Sequence, residues 1–181
     1  MDTPRHAPGH SRGLSAIELL AVLAVSSVVL SVAVPSLRGV TANTRLSGAS
    51  NALVTGLQRA RTEAVSTGRN TVLCPSLNGM QCSDSSDWSA GWLVYRDQNR
   101  NTRFDAGEQL LQVQMLDAAQ VSIRSNNGRR RVTYRSLGES EGANTTFVLC
   151  SRQDPARGRQ VIVANSGRVR TLDHAPPDGC R

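Results

Sequence analysis

From Leu19 to Leu37 the chain carries no charged residue, and a lone carboxylate, Glu18, stands directly before that run. Such a stretch is just long enough to cross a bilayer as a helix. A charge at bilayer depth costs on the order of 2.5–3.5 kcal/mol on insertion scales, so Glu18 needs a reason to be there. A secretory signal peptide would end its short apolar core at a small-residue cleavage site. Here the apolar run lasts through Val34, and no A-x-A site follows. A plain transmembrane anchor accounts for the length but leaves Glu18 and the break at Gly13 unexplained.

Past Pro35 the pattern predicts that the helix continues. Leu46, Ala49, Leu53, Leu57, Ala60 and Ala64 recur at spacings of three and four, while Arg45, Arg59, Arg61 and Glu63 fall largely off that stripe. Gly68 is a stop signal, so one helix is expected over roughly residues 15–66. After Gly68 the texture changes to short strand-like runs separated by Gly, Asn, Asp and Ser. They are residues 71–74, 91–95, 109–113, 121–123, 131–134, 146–150 and 160–164. The fold class expected is α+β: a long N-terminal α-helix packed on a small antiparallel β-sheet or sandwich.

All 21 basic residues are Arg, whose planar, permanently charged fork suits phosphate. In residues 14–120 eight arginines balance eight acidic residues; residues 121–181 hold eleven arginines and five acidic residues, a net +6. The excess charge therefore sits in the last third, and such asymmetry points to a polyanion or an anionic surface as partner.

The segment Arg12-Gly13-Leu14-Ser15-Ala16-Ile17-Glu18 and the apolar run after it resemble the type IV pilin family. Leu14 stands where Phe is usual and Ala16 where Leu is usual, and Pro35 sits where pilins commonly have a helix-kinking Pro. The resemblance implies a leader over residues 1–13, cleaved between Gly13 and Leu14 by prepilin peptidase. It implies a transmembrane and assembly helix over residues 14–37, its amphipathic continuation over 38–68, and a β domain over 69–181. Glu18 would pair with the new N-terminal amine of a neighbouring pilin subunit, which turns the cost of its burial into a force for registration. Arg5 and Arg12 place the N-terminus in the cytoplasm. The chain is then a single-pass inner-membrane protein with its C-terminal domain in the periplasm, reaching the pilus and cell surface after assembly.

Further motifs narrow the resemblance to the GspH/FimT group: Arg59-Ala60-Arg61-Thr62-Glu63-Ala64, Leu73-Cys74-Pro75-Ser76, Trp88-x-x-Gly91-Trp92, the acidic segment Asp97 to Glu108, and Gly167-Arg168-Val169-Arg170. In FimT proteins of natural transformation a G-R-x-R motif implies DNA binding. On an extended segment Arg168 and Arg170 point to the same side, with Val169 turned away and Gly167 allowing the turn. Arg152, Arg157 and Arg159 precede them and complete the expected phosphate-binding surface. Aromatic residues make up 3% of the chain, and none lies between Phe147 and Arg181. Single-strand binders stack bases on aromatics, so phosphate contact to duplex DNA with little sequence preference is expected. The alternative is a structural minor pilin or GspH-like type II secretion pseudopilin that assembles without binding DNA.

Four cysteines in an exported domain suggest two disulfides. Three connectivities are possible, and Cys74–Cys82 with Cys150–Cys180 is the simplest. No C-x-x-C pair or clustered His supports zinc. Asn126-Asn127-Gly128 reads as a hairpin turn with Arg129-Arg130-Arg131 just beyond it, a cluster that joins the DNA surface if it folds onto the same end of the domain. Asp97, Asn99, Asn101, Arg103, Asp105 and Glu108 occupy the spacing of a Ca²⁺ loop, but Thr102 replaces the usual Gly and no helix-loop-helix surrounds it. The plainer reading is a turn whose Asp and Asn bond their own backbone. No cofactor is expected. No arrangement for catalysis stands out, with His6 and His10 in the leader and His174 alone, so the chain does not read as an enzyme.

Overall fold

The computed structural model describes residues 15–142, 144–174 and 180, except the side chains of residues 32–38. The expected cleavage pair, Gly13 and Leu14, lies outside the described residues. The helix α1 spans Ala16–Thr67. It starts at Ser15, whose carbonyl accepts the N–H groups of Glu18 and Leu19. Glu18 falls in the first turn, where negative charge meets the positive end of the helix dipole. The helix stops where the sequence signals it. Gly68 takes φ +66°, the left-handed geometry of a helix C-terminal cap.

The chain divides into two compact units, Met1–Arg38 and Gly39–Arg181. In the first unit Ile17, Leu20, Val25 and Val28 are all well over half exposed. Among the described residues, no helix is long and apolar enough to cross a membrane. The uncharged run continues into residues 32–38, whose side chains are not described.

Among its described residues the second unit holds eight strands: β1 (Thr71–Pro75), β2 (Gly91–Arg96), β3 (Gln109–Met115), β4 (Val121–Ser125), β5 (Val132–Tyr134), β6 (Thr145–Ser151), β7 (Gly158–Val163) and β8 (Val169–Leu172). They form two four-stranded sheets, ordered β3-β2-β1-β5 and β4-β6-β7-β8. Every pairing is antiparallel. The α+β expectation holds, in its two-sheet form and with one strand more than the seven read from the sequence.

A single core joins the three layers. The stripe Leu46, Ala49, Leu53, Leu57, Ala60 and Ala64 is buried against Leu73, Trp92 and Val94 of the first sheet and Ile123, Phe147, Leu149 and Val161 of the second. Burying each Leu of that stripe is worth roughly 1.5–3 kcal/mol. Trp88 meets Phe147 edge to face at 5.0 Å between ring centroids, pinning the β1–β2 connection to β6. Strand β1 is buried at every position, so it shows no alternation. Val72, Cys74, Leu93 and Tyr95 form a second cluster, packed against Cys82 and Phe104 from two flanking loops.

One turn departs from the sequence reading. Residues Asn126–Gly128 form a short 3₁₀ turn, but β4 and β5 do not pair and the segment is no hairpin. The chain crosses there from the second sheet to the first. Asn126 Oδ1 accepts the Thr146 N–H at 2.9 Å, which holds the crossing to the start of β6.

Both disulfides take the simplest connectivity, Cys74–Cys82 and Cys150–Cys180. The second closes a loop of sequence separation 30 and ties the C-terminal segment to β6. Replacing Cys150 and Cys180 together by Ser should lower unfolding free energy by about 3 kcal/mol, read from urea denaturation. An unchanged midpoint would show that this bridge does not constrain the unfolded chain.

Candidate nucleic-acid interface

The G-R-x-R motif lies in the hairpin between β7 and β8. Gly167 N–H donates to Ala164 O at 2.8 Å, and Ala164 N–H donates to Arg168 O at 2.9 Å, closing the turn. Gly167 takes φ +76°, and a Cβ there would sit 1.8 Å from the Gly138 carbonyl oxygen. Conformation and close approach both demand glycine. The turn packs on the one around Gly138, and a helix side chain locks the two together. Arg61 donates through Nε to Gly138 O at 2.9 Å and through its terminal nitrogen to Ser166 O at 3.3 Å.

Strand register then aims the motif. Val169 pairs with Val163 and Arg170 with Ile162. Val169 packs against the core, while Arg168 and Arg170 are exposed. Two residues along a strand span roughly 6–7 Å, so two guanidinium forks stand side by side on one face. Among the described residues, no carboxylate lies within salt-bridge distance of either.

The other three expected arginines are not gathered with this pair. Strand β7 runs from Gly158 to Val163, which puts Arg157 and Arg168 at its opposite ends, roughly 20 Å apart along the strand. Arg157 Nε donates to Asp154 at 2.8 Å. Arg159 shares the face of Val161 and Val163 and lies 3.6 Å from Asp173. Arg152 is exposed, with Nε donating to Ala118 O at 2.7 Å. In the basic cluster beside the 3₁₀ turn, Arg130 pairs with Asp84 at 2.6 Å and Arg131 approaches the same carboxylate at 4.0 Å. That cluster starts from the same end of the second sheet as the β7–β8 turn, across three strands.

Sequence reasoning missed Arg61. The sequence reading places it on the helix as an off-stripe charge, and its membership of the Arg59–Ala64 motif is the one signal of a further role. Its neighbour Glu63 pairs with Arg96 at the end of β2.

Among the described residues, no aromatic base-stacking platform is exposed. Trp88, Trp92, Tyr95, Tyr134 and Phe147 are all fully buried, and Phe104 packs on Tyr95 at 5.1 Å. In the acidic loop, Asp97 is buried and accepts the N–H groups of Asn101 and Thr102 at 3.2 and 3.0 Å. Asp105 accepts the side-chain amides of Asn99 and Asn101 at 3.0 and 2.6 Å. This is the self-bonded turn. Among the described residues, no group of three or more His, Cys, Asp or Glu is placed to hold a metal ion.

The comparisons with known proteins follow this architecture. The family described as Type II transport protein GspH matches residues 49–167. A curated relative, "Pilin-like protein PilA1" of Thermus thermophilus, is 37% identical over 165 residues, covering 88% of this chain and 97% of the relative. The chain belongs to the GspH family of pilin-like proteins, which is membrane-associated and pilus-related. Among solved structures, the type IV minor pilin FimU of Pseudomonas aeruginosa is similar with a TM-score of 0.60 at 21% identity, covering 77% of this chain and 97% of that one. The minor pseudopilin EpsH of the Vibrio cholerae type 2 secretion system is similar with a TM-score of 0.51 at 16% identity, covering 74% and 99%. These two structures share the fold: an N-terminal helix packed on antiparallel sheets.

Two measurements check this geometry. Gly167→Ala should destabilise the protein by about 2 kcal/mol or more, read from urea denaturation, because it combines left-handed strain with a backbone clash. The amides of Asn101 and Asn99 hold the Asp105 carboxyl below its ordinary value of 3.8. A depressed folded-state value adds stability above the ordinary value, and that stability is lost as pH falls through the folded one. Asp105→Ala should therefore flatten the fall in melting temperature between neutral pH and the region below pH 3.8. Parallel pH profiles for the two proteins would contradict the assignment.

Proposed function

We propose that this chain is a FimT-like minor type IV pilin that binds incoming DNA during natural transformation, through the phosphate backbone and with little sequence preference. The observation that carries the reading is the β7–β8 turn. It presents Arg168 and Arg170 exposed, side by side and without an acidic partner among the described residues, on a hairpin braced by Gly167 and Arg61. The absence of an exposed aromatic among the described residues supports backbone contact over base stacking.

Prepilin peptidase cuts between Gly13 and Leu14, and the apolar helix holds the subunit in the inner membrane as a single pass with its β domain in the periplasm. Glu18, exposed in the first helical turn, then pairs with the amine of a neighbouring pilin subunit in the filament.

A gel-shift titration of the full chain in detergent, at several salt concentrations, tests the DNA reading. Each phosphate neutralised contributes about −0.9 to the slope of log K against log salt. Arg168→Ala with Arg170→Ala should weaken binding to a random-sequence duplex and make that slope shallower by about 1.8. Unchanged affinity and slope would sink the reading and leave the structural role of a GspH-like subunit.

A further inference from the structure

The strand register that exposes Arg168 and Arg170 also decides what shares their face. On the second sheet, Ile123, Phe147, Leu149, Val161 and Val163 face the core. The alternate positions face outward, and the pairings align them into rows. Arg124 on β4 lies beside Val148, which lies beside Gln160, which lies beside Leu172 on β8. Arg170 occupies the next outward row on β8, with Ile162 and Thr146. Arg152 follows β6 at the same parity as Val148 and Cys150. The outward face of these four strands therefore carries Arg124, Arg152, Arg168 and Arg170, all exposed, and no acidic residue on the strands themselves.

A second pair is set apart from the first. Arg124 and Arg152 line one cleft of about 320 Å³, together with Ser122, Pro155 and the Cys150–Cys180 bridge. An acid from another element, Asp87, has its backbone bridged to Arg124. Its carboxylate is taken by the N–H and hydroxyl of Ser89 and makes no ion pair with either arginine. Strands lie about 4.8 Å apart, so β4 and β8 are separated laterally by roughly 14 Å. That separation is comparable with the ≈12 Å width of the major groove of B-DNA. Arg124 on one edge strand and Arg170 on the other, one outward row apart, are placed to meet phosphates on either side of one groove, with Arg152 beyond the end of β6 and Arg168 just before β8 extending the two contacts, whereas a flexible single strand has no second edge to offer.

We propose that the outward face of the second sheet is a two-point clamp for duplex DNA, with Arg124 and Arg152 holding one strand's phosphates and Arg168 and Arg170 the other's. This rests on the DNA-binding reading above and adds a second contact site to it, one that includes a residue outside the G-R-x-R segment.

The test measures anisotropy of a labelled 30-base-pair duplex against salt, using the full chain in detergent. Three double variants are compared: Arg168→Ala with Arg170→Ala, Arg124→Ala with Arg152→Ala, and Arg59→Ala with Arg69→Ala. The last removes two exposed arginines from elsewhere. Arg152 also bonds the Ala118 carbonyl, so Arg124→Ala alone serves as a variant that breaks no such contact. The expected result is a salt slope shallower by about 1.8 for the Arg124 and Arg152 pair and by about 0.9 for Arg124→Ala, with the Arg59 and Arg69 control unchanged. If only the Arg168 and Arg170 pair alters the slope, the clamp is overturned while the DNA-binding reading stands. If neither pair alters it, both fall. If the control alters it equally, binding follows net charge and the clamp is again overturned.

Discussion

The apolar stripe from Leu46 to Ala64 is the contact on which the β domain depends. It buries against strands from both sheets at once, so neither sheet closes its inner face without the helix. The same helical turns that bury Ala60 and Ala64 carry Arg61 and Glu63 between them, and these two charges reach sideways. Arg61 binds the Gly138 and Ser166 carbonyls, and Glu63 binds Arg96. A hydrogen bond to a charged group is worth about 1.5–3 kcal/mol, enough to hold a turn but small beside the packing of the stripe. The helix thus fixes the layers by burial and two of their loops by charge.

That arrangement explains why an exposed motif can be well ordered. A hairpin tip would ordinarily be among the least stable parts of a domain. Here Gly167 is buried against the neighbouring turn, Val169 reaches the core, and a helical guanidinium ties down the Ser166 carbonyl just before Gly167. Arg168 and Arg170 are left exposed. Their geometry is set by groups whose contacts are made within the domain, Arg61 included.

Much of this was legible from periodicity. The helix stripe, its end at Gly68 and seven of the strands follow from spacings of three, four and two. Strand β8 was not legible. It is an edge strand of four residues with two of them exposed, and Val-Arg-Thr-Leu carries too little apolar signal to register. The point at which the chain changes sheet was hidden for another reason. Asn-Asn-Gly has the chemistry of a hairpin, yet here Asn126 spends its side chain on Thr146 and the chain changes sheet. Proximity in sequence also misled. Arg157 and Arg168 are eleven positions apart, but an antiparallel strand lies between them and sends them to opposite ends.

The net charge of the last third then acquires a location. Of its arginines, Arg130 and Arg131 share Asp84, Arg135 pairs with Glu141, Arg157 with Asp154 and Arg159 with Asp173. Arg124, Arg152, Arg168 and Arg170 make no ion pair among the described residues, and all four fall on the outward face of the second sheet. Uniformly scattered charge would be a matter of solubility. In the last third, five arginines are held in ion pairs while these four, on one sheet face, are not; that is a directed field, and a polyanion laid across those strands is the partner that would release the most counterions from it.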